Sequence, residues 1–408
     1  MAQRQMRDPR AGVAFDPADP VFVANPYPRY AELREADTLH RTEEGMWILT
    51  RHADVLAALR DHRLSSDPRH IDTDRRRRPS QVLPFGDGTP PVMLFLDPPD
   101  HTRLRKLTNK AFTPRAVEAL RPRVVELVEQ LLDTAAEQGE VNFMGAVAFP
   151  LPVIVICELL GVPAQDQEQF KDWSTAVARA LDPVPDEAIL EQALPAVMQF
   201  VQYFAGLIEE RRAHPTDDLL SALIAAEAEG DQLSPPELFA TLILLFVAGH
   251  ETTTNLLGNG TLALLRNRDQ LDALRDEASL VPAATEELLR YDSPVQATAR
   301  TATCDLEVNG LQLEKGEGVV LVLAAANRDP RYCDEPDRLL LARGQATHVA
   351  FGNGIHFCLG APLARLEGQE VFRALARRFP KMDLTGELRY REHFVLRGLD
   401  DLPLRLAP

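Results

Sequence analysis

Beyond residue 114, apolar positions recur mainly at helical spacing. From Ala116 to Ala136 they fall at 117, 120, 124, 127, 128, 131 and 132, one face of a helix. Similar patterns cover Leu190 to Arg212 and Asp218 to Glu229. The clearest start is Ser234-Pro-Pro-Glu237, with serine as N-cap, proline next and glutamate at the capping-box position. From there the pattern runs to about Arg266, a helix of roughly 45 Å at 1.5 Å per residue. Tyr27 to Glu35, Ala53 to Leu59 and Ala283 to Tyr291 read as shorter helices. Leu359, Leu363, Leu366, Phe372, Leu375 and Phe379 form the stripe of another. Strand candidates are sparse: Trp47 to Thr50, Leu306 to Val308 and Val319 to Leu323. The proline-rich stretch 65–99 predicts a long loop. No internal repeat or low-complexity linker divides the chain. The pattern predicts a mainly α fold with small β-sheets and marks no domain boundary within 1–408.

Two apolar runs invite a membrane reading and fail it. Val147 to Val162 carries Pro150, Pro152 and Glu158, and Leu238 to Ala248 ends at Gly249-His250-Glu251, where a span needs about 20 residues. Buried core helices are expected instead. The N-terminal residues have charge but no apolar stretch, so no signal peptide is predicted and the expected location is the cytoplasm. The 44 Lys and Arg against 61 Asp and Glu leave a net charge of −17, which argues against general nucleic-acid binding. Cysteines at 157, 304, 333 and 358 show no CxxC or zinc-like spacing, and three read as buried thiols.

Cys358 has unusual neighbours. In Phe351-Gly-Asn-Gly-Ile-His-Phe-Cys-Leu-Gly360 it stands just before a helix, where the macrodipole and free N–H groups favour a thiolate. Glycines at 352, 354 and 360 permit close backbone approach to a sulfur or a flat cofactor. The segment resembles the haem-binding loop of the cytochrome P450 superfamily, Phe-x-x-Gly-x-His-x-Cys-x-Gly, through Phe351, Gly354, His356, Cys358 and Gly360. The resemblance implies haem b with Cys358 as its axial thiolate, lying between the long central helix and the helix after the cysteine. It also implies monooxygenation, with two electrons delivered singly by a separate ferredoxin or flavodoxin and its reductase.

Ala248-Gly-His-Glu-Thr-Thr253 lies in the middle of the longest helix, where a glycine costs about 1 kcal/mol relative to alanine. The run is similar to the family's oxygen-binding groove. Ala248 and Gly249 would leave room over the haem, Thr252 would serve the oxygen site, and Glu251 would feed protons toward it. His250 occupies the motif's variable position and receives no role. Asp97-Pro-Pro-Asp-His-Thr-Arg-Leu-Arg105 also resembles the family, so His101 and Arg105, at i and i+4, join Arg300 and His356 as candidate propionate partners. Glu287 and Arg290 match the family's structural ExxR pair. Arg338 is the candidate third member, although Leu339 stands where the family commonly has Phe.

The resemblance implies pocket residues at Leu83, Phe85, Met93, Leu94, Leu244, Val247, Val295, Ala297, Phe394 and Val395, whose mostly apolar character favours a lipophilic substrate of medium size. The donor is expected on a basic patch formed by Arg103, Lys106 and Lys110 with Arg365, Arg373, Arg377 and Arg378. A peroxide-driven peroxygenase and a haem-thiolate sensor are the alternatives. The first usually lacks the acid–threonine pair, and the second usually carries an output domain.

Overall fold

The computed structural model describes residues 6–7, 14–16, 19–36, 40–41, 45–72, 92–180, 187–228, 233–344 and 347–407. Arg75 to Arg78, Leu83 and Phe85 lie outside them, as does most of the expected long loop.

A five-stranded sheet combines β1 (His40–Arg41), β2 (Trp47–Leu49), β3 (Leu64–Ser65), β4 (Thr298–Ala302) and β5 (Gly318–Leu321), in the order β1-β2-β5-β4-β3. Only β2 and β5 are parallel, with Val319 opposite Trp47 and Val320 opposite Ile48. The β5 strand ends before Leu323, where the chain turns into a short helix over Leu323–Ala326. A hairpin pairs Leu306–Val308 with Leu311–Leu313.

The helices that position the site are α1 (His52–Arg60), α2 (Asp100–Thr108), α3 (Arg121–Gln138), α4 (Pro150–Leu160), α5 (Phe170–Arg179), α6 (Glu187–Ala213), α7 (Pro235–Arg266), α8 (Val281–Tyr291) and α9 (Ala361–Arg378). The pattern over Ala116 to Ala136 divides in two, Pro114–Ala119 and then α3. Pro122 has no N–H to continue the first helix, so it stands in the first turn of the second. The α7 helix begins with the expected capping box, Ser234 and Glu237 each bonding the other's backbone. No described helix is long and apolar enough to cross a membrane.

The apolar core surrounds α7, whose residues are mostly buried beyond its first turn. Small residues let the neighbouring side chains come close. A Cβ at Gly260 would stand 2.5 Å from Phe372 Cζ of α9, and one at Gly249 3.0 Å from Ile156 Cδ1 of α4. Gly249 therefore admits a packing helix, where the sequence reading had it clearing space for the cofactor.

Candidate active site

One stripe of α7 breaks its burial. Leu244, Gly249 and Thr252 are half-buried and Ala248 is exposed, whereas their neighbours are buried. Leu244, Ala248 and Thr252 are spaced i, i+4 and i+8, so they open one face in mid-helix. The Thr252 hydroxyl donates back to the Ala248 carbonyl oxygen at 2.9 Å, as a hydroxyl does in a helix interior.

Glu251 is buried on another face. Its Oε2 is 2.5 Å from Arg391 Nη1, and its Oε1 is 3.5 Å from Thr175 Oγ1 of α5 and 3.4 Å from His250 Nε2. Burial pushes this carboxyl up, but His250 and Arg391 together draw it down to about 2. Arg391 comes from a C-terminal segment with no motif in sequence, so its role was not legible there.

The cysteine loop follows from its glycines. Gly352 and Gly354 have φ of +69° and +70°, and a Cβ at Gly354 would stand 2.5 Å from the Leu59 carbonyl oxygen of α1. Gly360 has an ordinary φ and faces open space. The Cys358 N–H donates to the Phe351 carbonyl oxygen at 2.9 Å, and the Phe351 ring is covered by the Arg365 guanidinium at 4.6 Å. Cys358 is half-buried at the surface yet closely enclosed by protein. That enclosure pushes its thiol up, while the Gly360 N–H, Arg105, the Ala361 N–H and Arg365 oppose the shift.

His101, Arg105, Arg300 and His356 converge as the motifs imply. The His101 and His356 rings are 4.4 Å apart, and Arg105 donates to the Phe357 carbonyl oxygen at 2.7 Å. Both nitrogens of His101 and Nε2 of His356 are buried without a hydrogen-bond partner among the described residues. Arg300 is buried, with Thr298 Oγ1 and the Ala299 carbonyl oxygen as its hydrogen-bond acceptors among the described residues, and burial lowers it to about 10. Burial, then the charges of Arg300, His101 and Arg105, holds the His356 imidazole down to about 3. Buried donors without acceptors are costly, so this cluster calls for an anion. Two carboxylates of a flat cofactor fit it, together with the open stripe of α7 and the cradle around Cys358.

Behind the loop, Glu287 binds Arg290 through two hydrogen bonds of 2.7 and 2.8 Å. The third partner is Arg343, whose Nε lies 3.0 and 3.2 Å from the Glu287 oxygens. Arg338 turns its side chain to Glu335 and contributes only its carbonyl oxygen, which accepts from Arg290. The expected role of Arg338 is thus filled from farther along the chain.

A family model described as Cytochrome P450 matches residues 42–381. The chain is a cytochrome P450. It is 44% identical over 395 residues to the vitamin D(3) 25-hydroxylase of Pseudonocardia autotrophica, covering 95% of both chains. It is 40% identical to the 6-deoxyerythronolide B hydroxylase of Saccharopolyspora erythraea, covering 94% of this chain and 97% of that one. Among solved structures, ligand-free CYP164A2 of Mycobacterium smegmatis superposes with a TM-score of 0.88 at 42% identity, covering 96% of this chain and 98% of that one. Like its relatives, this cytochrome P450 is a monooxygenase that binds haem b.

The basic patch expected for a redox partner is largely neutralised in this P450. Arg103 pairs with Glu237, Arg365 with Glu286, Arg373 with Glu370, and Arg377 and Arg378 with Glu129. The reason is α-helical packing: α9 lies against α3 and α8, whose acidic faces meet its arginines. The pocket candidates are partly gathered. A β-bridge between Val295 and Leu396 brings residues 295–297 beside 394–396.

Proposed function

We propose that this P450 inserts one atom of O2 into a lipophilic molecule of medium size, by hydroxylation or epoxidation, with electrons from a separate donor. The observation that carries the reading is the single open stripe in mid-α7, which presents Ala248 and the Thr252 hydroxyl while Glu251 stands beside them on a buried face.

In this reading Cys358 would hold the haem iron through its thiolate, which the N–H groups of Gly360 and Ala361 and the charge of Arg105 favour. Phe351 and Gly360 would frame it, and His101, Arg105, Arg300 and His356 would hold the propionates. When bound, the haem supplies oxygen activation, which electron density pushed from a thiolate favours. Thr252 offers a hydroxyl at the open face, and Glu251 moves protons toward it. The apolar walls near Leu244, Val247, Val295, Ala297, Phe394 and Val395 exclude water and select lipophilic substrates. The vitamin D(3) and 6-deoxyerythronolide B of the named relatives are both of that class.

The donor, a ferredoxin or flavodoxin, docks on the cysteine loop itself. Ile355 and Phe357 are 50% and 39% exposed there. Arg60 and Arg105 hold the loop through Asn353 Oδ1 and the Phe357 carbonyl oxygen, which leaves a small apolar contact flanked by cations. Such a contact suits a transient acidic partner. Reversing charge at Arg60 should slow reduction without altering substrate affinity.

The decisive test is a library screen for the low- to high-spin change, followed by oxygen-dependent product formation with a reconstituted donor. Cys358→Ser should abolish the red-shifted Soret band of the reduced carbonyl form. A histidine-type carbonyl spectrum in the unmodified protein would overturn the ligand assignment. Turnover with peroxide but not with O2 and donor would favour a peroxygenase.

A further inference from the structure

His250 is entirely buried beside Glu251, with its ring against Phe149 (centroids 5.8 Å apart, edge-on at 86°) and Phe246 (5.1 Å). Its Nδ1 is 2.8 Å from the Phe246 carbonyl oxygen. A carbonyl oxygen only accepts, so Nδ1 carries a hydrogen. The other nitrogen, Nε2, stands 3.4 Å from Glu251 Oε1 and completes no hydrogen bond as placed. A neutral ring would therefore aim a bare lone pair at a carboxylate oxygen inside the protein. Two acceptors facing each other without water are unfavourable. One additional proton, on either Nε2 or Oε1, turns that conflict into a hydrogen bond.

We propose that His250 and Glu251 share one stored proton in the resting enzyme, and that this pair is the reservoir from which the Thr252 face is supplied. The proposal rests on the reading of Glu251 as the proton-moving acid and gives position 250 a part in it. When the proton leaves toward the pocket, a neutral His250 and a Glu251 carboxylate remain. Arg391, 2.5 Å from Oε2, already compensates that carboxylate. The store therefore empties without leaving an unpaired buried charge, and no electrons move.

Refilling has a route. A cleft of about 830 Å³ reaches Glu251, and Thr175, Thr254 and Arg391 also line it. Thr254 Oγ1 is a buried polar atom with no hydrogen-bond partner among the described residues, as expected where water completes the network. The charged groups on this cleft are of both signs: Lys171, Asp172 and Arg179 from α5, and Arg389, Arg391, Glu392, His393, Asp400 and Asp401 from the C-terminal segment. Asp400 Oδ1 lies 3.3 Å from Arg391 Nε, so a swing of Arg391 toward Asp400 would expose the Glu251 carboxylate to cleft water. A proton from that water then restores the pair.

The test is nitrogen-15 NMR of the histidine-labelled holoenzyme in its diamagnetic ferrous carbonyl form at pH 7.5. The His250 signals are assigned by their loss in His250→Phe, or by their shift in Glu251→Gln should the first variant not fold. The expected result is a hydrogen on Nδ1 and a second one on, or shared with, Nε2. Glu251→Gln should remove the Nε2 hydrogen, because a glutamine amide can donate to the bare nitrogen. A singly protonated ring in the unmodified enzyme beside an ionised Glu251, seen by infrared difference spectroscopy, overturns the proposal. Turnover is a separate readout. If the shared proton is present but His250→Phe leaves product per nicotinamide unchanged, the reservoir role falls. If no substrate is oxygenated at all, the reading of the site falls while the NMR result still decides the shared proton.

Discussion

Two buried glutamates, 36 residues apart, meet arginines in opposite ways. Glu287 is 3% exposed and receives Arg290, Arg343 and the Leu340 N–H, the last at 3.0 Å. Arg290 in turn donates to the carbonyl oxygens of Asn327, Pro336 and Arg338. Both the glutamate and Arg290 are held by several neighbours at once, so moving either breaks many bonds. Glu251 has one well-formed partner, Arg391, a strained approach to His250, a long contact to Thr175 and a cleft beside it. The difference is one of satisfaction. A fully bonded buried pair braces a fold, whereas an incompletely bonded one beside water can change partners.

The contrast is broken most severely at Glu287. Glu287→Ala leaves Arg290 and Arg343 buried beside no carboxylate, and should cost about 3–5 kcal/mol in denaturant unfolding, with haem retention falling alongside. Arg343→Ala should destabilise clearly but less, and Arg338→Ala, 63% exposed and paired with the exposed Glu335, should stay within about 0.5 kcal/mol. Equal effects of the two arginine variants would contradict Arg343 as the third partner.

At the second glutamate the large effect should appear in coupling. Thr252→Ala should keep haem and substrate binding while product per reduced nicotinamide falls several-fold. Arg391→Gln should also lower that ratio, while its unfolding free energy changes by about 1–2 kcal/mol, well short of the Glu287→Ala loss. It should also let the Glu251 carboxyl, held near 2, climb. An unchanged ratio in both variants would leave solvent as the direct proton source.

The smallest effect concerns Glu286, which clamps α8 to α9 through Arg365 and to the segment before the cysteine loop through His348. Burial raises this carboxyl, but Arg365 and His348 outweigh it and lower it from 4.5 to about 2. A depressed carboxyl stabilises above its unfolded value and loses that contribution as pH falls through the folded one. The clamp should therefore weaken between about pH 4.5 and 2. Glu286→Gln should flatten the acid limb of a thermal-melt profile over that window, modestly because the pair is one-third exposed.

Much of this molecule was legible in its residues. The capping box at Ser234 and Glu237 marks the start of α7 because those two side chains satisfy local N–H groups whatever surrounds them. The cysteine loop was equally plain, since positive φ at Gly352 and Gly354 admits few other residues. His101 and Arg105 share a face through helix geometry alone. Local rules of this kind act over a few residues, so the sequence by itself determined the helices, the loop and the residue types of the candidate site.

The partners across the fold were decided only by tertiary structure. Arg343, not Arg338, completes the Glu287 brace, Ile156 fills the space beside Gly249, and Arg391 finds Glu251 across 140 residues. The expected arginine patch is tied down by carboxylates on α3, α7, α8 and α9 itself. A charge carries no record in sequence of which opposite charge will lie within reach. Long, flexible side chains reach whichever partner the packing brings near, and burial then makes that choice costly to undo.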